Sequence, residues 1–163
     1  MIEDQEDYLD AMRRVRKESL HFFSNEGKAE RERWTVKEFL MNLSIPFSES
    51  ELISPPERSE IDVKFRSANF QVKEIPNPNI RRNAEIREAW LVAKKASKIG
   101  DLVVEYPASD IPSTRSGYDL VCEYIKFLEN KYPPNVRKRL DILFYITRFR
   151  TALIQLEEIN KND

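Results

Sequence analysis

The chain of 163 residues is poor in the residue types on which several chemistries depend. It has one cysteine, Cys122, and one histidine, His21. A structural zinc site takes about four such ligands and a catalytic one about three with an open position, so zinc fingers, zinc hydrolases and disulfide frameworks are excluded. His21 lies in the apolar stretch LHFF, where it reads as a structural histidine rather than the base of a hydrolytic triad. The three glycines, Gly27, Gly100 and Gly117, stand far apart, so no glycine-rich phosphate loop can be assembled from them. No segment reaches the ~18 consecutive apolar residues of a membrane span. The N-terminal MIEDQEDYLDAM is acidic, unlike the basic-then-apolar order of a secretory signal. Neither sign of charge dominates, since 27 Lys+Arg face 28 Asp+Glu for a net charge of −1. The expectation is a cytoplasmic protein without a membrane partner. Any chemistry it performs must come from carboxylates, amides, lysines and a hard metal ion.

What is abundant is charge. Charged residues make up 34 % of the chain and hydrophobic residues 40 %, against about 25 % charged in typical globular domains. The length suits one domain over 1–163, long enough to bury a core. We divide it into an N-terminal helical segment (1–27), an α/β core (28–150) and a C-terminal helix and tail (151–163). Tyr8, Met12, Val15, Leu20 and Phe23 recur at near-helical spacing over 5–23, and Val36, Phe39, Leu40 and Leu43 do so over 28–43. IDVKF (61–65) and NFQVKEI (69–75) alternate apolar with polar and predict a β-hairpin around Arg66-Ser67-Ala68. Residues 81–98 predict a helix with six basic and two acidic residues, and 117–130 predict another. LVVEY (102–106) reads as a short strand, PPNVRKR (133–139) as a basic turn or short helix, and LDILFYI (140–146) as a strand buried on both faces. The order predicts a mixed sheet of about four strands flanked by helices. The aromatics Trp34, Trp90, Phe127, Phe144 and Tyr145 fit a core better than a base-stacking platform.

The hairpin carries the chemistry. If Asp62 opposes Lys73, then Lys64 opposes Gln71, and all four polar side chains share one face while Ile61, Val63, Phe65, Phe70 and Val72 turn to the core. An aspartate and an amide oxygen side by side can share a hard cation such as Mg²⁺. A neighbouring lysine can hold a water or stabilise charge on a phosphate. Together these are the minimal parts for metal-assisted phosphodiester hydrolysis.

Asp62 followed by Gln71-Val72-Lys73, on a predicted hairpin after a helix, resembles the PD-(D/E)xK nuclease superfamily. NEGKAERERWTVKEFL with IDVKF, FQVKEI, RRNAE and LDILFYI also resembles a bacterial family of unknown function that carries an endonuclease label. The resemblance implies a restriction-endonuclease-like fold and Mg²⁺- or Mn²⁺-dependent hydrolysis of DNA, with one or two ions. It implies metal ligation by Asp62 and Gln71, water activation by Lys73, and a further metal ligand in an early glutamate from the helix holding Glu30 and Glu32. Glu32 lies four residues before Val36 on the inward stripe and is the first choice; Glu30 is the second. Two positions depart from the pattern: Ile61 precedes the aspartate where a proline is usual, and Gln71 replaces the commoner glutamate. Arg81, Arg82 and Lys64 are the expected contacts to nucleic-acid phosphates, with Arg137, Lys138, Arg139, Arg148 and Arg150 in a second basic cluster. A homodimer would suit an enzyme whose single site cuts one strand per visit. The rival reading of the same residues is a catalytically inactive module of the nuclease fold that binds nucleic acid or a protein partner.

Overall fold

Residues 4–78, 82–103, 112–147 and 155–156 are described by a computed structural model. The chain gathers into two compact units, Met1–Arg31 with Pro78–Ala108, and Glu32–Asn77 with Ser109–Asp163.

In the first unit, helix α1 (Gln5–Phe22) packs on helix α3 (Arg82–Lys95). The Asp4 side chain caps α1 by accepting from the Glu6 N–H at 3.4 Å. Arg13 of α1 reaches the end of α3, donating from Nη2 to the Ala96 carbonyl at 2.8 Å and from Nε to that of Ala93 at 3.3 Å. Those carbonyls would otherwise lack partners at a helix C-terminus. The turn into helix α2 (Lys28–Asn42) passes through Gly27, where an added Cβ would meet His21 O at 2.4 Å and Phe22 O at 2.7 Å. Only a residue without a side chain fits so close to another backbone. Arg31 closes the corner by donating to the carbonyls of Phe22 and Ser24.

The second unit holds a mixed sheet in the order β1 (Val63–Phe65), β2 (Ala68–Ile75), β3 (Asp141–Ile146), with β1–β2 antiparallel and β2–β3 parallel. One face carries Val63, Phe65, Phe70 and Val72, which bury against Val36 and Leu40 of α2 and against Leu52. The other carries Gln71, Lys73 and Ile75 beside Ile142, Phe144 and Ile146. Helix α4 (Thr114–Lys131) lies there, with Tyr124 edge-on to Phe144 at 5.9 Å and Gly117 beneath Ile146. A four-residue helix α5 (Pro134–Arg137) leads into β3.

Several expectations are corrected. The hairpin loop has two residues, not three, so Ala68 joins β2 and pairs with Phe65. Lys64 therefore opposes Asn69 rather than Gln71. The slip is two residues, so Val63, Phe65, Phe70 and Val72 keep the apolar face and Lys64, Gln71 and Lys73 the polar one, while Ile61 and Asp62, predicted as strand, precede β1, and Ile61 is not in the buried core. Among the described residues the sheet has three strands rather than about four. Leu102 ends a 3₁₀ turn (Ile99–Leu102) instead of opening a strand, and 104–106 lie outside the described residues. β3 is half-buried, not buried on both faces, because among the described residues it is an edge of the sheet. Helix α4 starts three residues earlier than the spacing predicts, where Ser113 and Ser116 cap it mutually. Most of 151–163 lies outside the described residues; Gln155 forms an extended bridge with Ser113 instead of helix. Trp34 and Phe127 are 47 % and 63 % exposed, so these two aromatics are surface groups, not core. No helix among the described residues is long and apolar enough to cross a membrane.

Candidate functional site

Asp62 sits where the hairpin ladder ends. Its N–H donates to the Phe70 carbonyl at 2.9 Å, although Phe70 is already the partner of Val63. Its carboxylate Oδ2 accepts from the Val72 N–H at 2.9 Å. The aspartate thus bulges out of regular register and brackets Gln71 through the residues on either side of it. It does not oppose Lys73, as the sequence predicts, because the shorter loop moves Lys73 beyond the end of β1.

Gln71 is only 5 % exposed. Its Nε2 donates to the Glu60 carbonyl at 2.9 Å, which pins the segment before Asp62 against β2. Its Oε1 is buried and has no hydrogen-bond partner among the described residues. Buried polar atoms are nearly always paired, and an orphan marks strain, function, or a place for a water or ion. Lys73 lies two residues on, on the same face, its ammonium 6.0 Å from the centroid of the Tyr132 ring at the end of α4.

The early glutamates part company. Glu32 is 8 % exposed and stands one turn before Val36 on α2, the helix that covers the face opposite Gln71 and Lys73. Glu30 is exposed and lies 3.8 Å from His21 Nε2, so His21 is itself a surface group at the end of α1. Lys64 is exposed, with its backbone bridged to Ile53. Arg82 lies in the first unit with its guanidinium 4.5 Å from the centroid of Phe23; Arg81, Arg148 and Arg150 fall outside the described residues.

The structure therefore brings together Asp62, Gln71 and Glu60, with Lys73 on the same sheet face. Among the described residues no three His, Cys, Asp or Glu side chains gather as a metal-binding group. A cation beside Gln71 would rest on few protein oxygens, which suits Mg²⁺: it is commonly held by one or two carboxylates while keeping waters and substrate phosphates. The Gln71 amide oxygen and the Asp62 carboxylate are oxygen donors of the right kind. Two neighbours escape the sequence motif, Glu60 and Tyr132. Glu60 acts through its backbone, which no side-chain pattern reveals. Tyr132 ends a helix in the KYPP stretch, a stop signal without a chemical one.

Over residues 4–162 the chain matches a family described as "Putative endonuclease, protein of unknown function (DUF1780)", and it belongs to that family. No curated protein matches it. A solved structure of a protein of unknown function, PA4535 from Pseudomonas aeruginosa strain PAO1, described as of the monooxygenase superfamily, is similar at 19 % identity. The similarity covers 94 % of this chain and 68 % of that one, with a TM-score of 0.50. It speaks to an α/β fold and does not establish the restriction-endonuclease-like one.

Proposed function

We propose that this member of a family labelled for endonuclease activity hydrolyses DNA phosphodiester bonds with a divalent cation, Mg²⁺ or Mn²⁺, at Asp62 and Gln71. The observation that carries the reading is the buried Gln71 Oε1 without a partner, bracketed by the bonds of Asp62 to Phe70 and Val72. Asp62 supplies the negative charge and Gln71 a neutral carbonyl oxygen. When bound, the cation supplies Lewis-acid polarisation of the phosphate and a lower pKa for water. Lys73 places its ammonium on the same face, where it orients the attacking water and offsets the charge that develops on the phosphate. Glu60 acts as a positioning residue by fixing the Gln71 amide through Nε2. Glu32, on the helix that covers the face opposite Gln71 and Lys73, is not part of the proposed site.

The restriction-endonuclease-like architecture belongs to the same proposal. It is supported by the helix–hairpin–helix order and by a central β2 that carries Gln71 and Lys73 between helices on two faces. The rival reading is an inactive module that binds nucleic acid or a protein. It is favoured by the neutral Gln71 and by the lack of a three-acid cluster among the described residues. Incubation with supercoiled plasmid and Mn²⁺ decides between them. Nicking by the wild type, lost in Lys73→Ala and Asp62→Asn, is the expected result. No nicking, or equal nicking by all three, overturns the proposal.

A further inference from the structure

The nine residues Lys131–Arg139, KYPPNVRKR, contain four basic side chains and no acidic one. We infer that this segment is the surface on which a DNA duplex lies, its phosphates held by Lys131, Lys138 and Arg139 beside Gln71 and Lys73. The inference rests on the nuclease reading for the meaning of the neighbouring site.

The segment borders the site at two points. At one, the Glu60 carbonyl accepts from Gln71 Nε2 while the Glu60 carboxylate lies 3.7 Å from Arg139 Nη2. At the other, the Tyr132 ring has the Lys73 ammonium at 6.0 Å and that of Lys131 at 5.6 Å. The backbone between them is fixed. Pro133 accepts from the N–H groups of Val136 and Arg137, Arg139 Nε donates to the Asn135 carbonyl at 3.2 Å, and the Arg139 carbonyl accepts from Asn69 Nδ2 at 3.3 Å. The charges on this frame are weakly engaged. The Arg139–Glu60 pair is 66 % and 53 % exposed, and Arg137 meets Glu129 at 3.6 Å, also in the open. Exposed pairs of this length hold loosely, and a phosphate can take the place of either carboxylate. Lys138 makes no ion pair among the described residues. A fixed row of one sign in a chain of net charge −1 is a local footprint for a polyanion. Its position places a bound backbone against Lys73.

The test is the binding of a short fluorescein-labelled DNA duplex, followed by anisotropy in a chelator so that nothing is cut. Lys131→Gln and Lys138→Gln should each weaken binding about tenfold at about 50 mM salt and lower the slope of log K against log salt by about one. Arg139→Gln should do the same, and Arg139→Lys should retain most of the binding. If rim variants lose binding while the plasmid assay shows no Lys73-dependent nicking, the surface stands and the nuclease reading falls. Wild-type protein that does not bind, variants with unchanged slopes, or competition by polyglutamate as effective as by unlabelled duplex would overturn the inference.

Discussion

Replacing Gln71 with methionine tests the buried amide directly. The swap conserves length and volume, and such changes cost less than about 1.5 kcal/mol in a packed site. It removes the Nε2 donation to Glu60, a neutral hydrogen bond worth about 1 kcal/mol. Glu60 is exposed, so water can replace that donor. It also removes the unpaired Oε1, whose burial costs about 1–3 kcal/mol. These terms nearly cancel, and the net change without cation is within about 1 kcal/mol, or roughly 2–4 °C in melting temperature for a chain of this size. The cation response should differ sharply. At ten times its Kd a cation that binds only the folded state adds about 1.4 kcal/mol, which shifts the wild-type transition by roughly 3–6 °C. Gln71→Met should lose that shift. Melting followed by circular dichroism, with chelator and then with Mn²⁺, measures both quantities. Hydrogen exchange at the Val72 N–H, which Asp62 holds, localises the effect to the sheet. A loss above about 2 kcal/mol without cation would show that the oxygen has a structural partner. An equal Mn²⁺ shift in both proteins would refute the assignment of Gln71 as a ligand.

The remaining predictions concern the scaffold. Gly27→Ala forces a Cβ to 2.4 Å from His21 O and 2.7 Å from Phe22 O, both backbone atoms. It should destabilise the first unit by about 1–3 kcal/mol, and an unchanged melting temperature would refute the close approach. Glu51 is held below its ordinary value of 4.5, first by the Arg66 guanidinium that donates to it and then by the Ser48 N–H. Its stabilising effect is present at neutral pH and lost as pH falls below that value, because the unfolded chain then binds the proton more readily. Glu51→Gln should flatten this acid-side decline in a melting series from neutral to acidic pH; an unchanged slope would show that the clasp does not contribute.

The legible parts of the fold are those that periodicity controls. Helix α1 ends one residue from its predicted limit and α2 likewise. Within the paired strands the faces hold the residues that alternation assigns, Ile61 and Asp62 excepted. The loop was not legible, since a two-residue hairpin turn usually announces itself by Gly or Asn at a positive φ. Here Arg66 takes φ 53, tethered to Glu51 at 2.9 Å and to the Pro46 carbonyl at 2.9 Å. Those partners are 15 and 20 residues away in sequence. Tertiary contacts thus set a local conformation, and the register moved with it. Trp34 is the opposite case, because its exposure was available in the sequence. It lies about 200° around the helix from Val36, the same angle that separates Glu30 from Glu32.

The site was legible as a set of residue types but not as an arrangement. Asp62, Gln71 and Lys73 can be picked out because they are polar within an alternating pattern; their relation depends on a bulge that no side chain encodes. Gln71 nonetheless stands apart on physical grounds. Its strand is the middle of the sheet, and its cross-strand neighbour on β3 is Ile142. Lys73 pairs with Phe144 and Ile75 with Ile146. An apolar residue at 71 would leave only the exposed Glu60 carbonyl to water, and the chain places an amide there whose oxygen has no partner among the described residues. A local rule broken at the amide oxygen, while Nε2 keeps its bond to the Glu60 carbonyl, fits the role proposed for Gln71 in holding a cation. That is why the amide, not the lysine beside it, is the first residue to change.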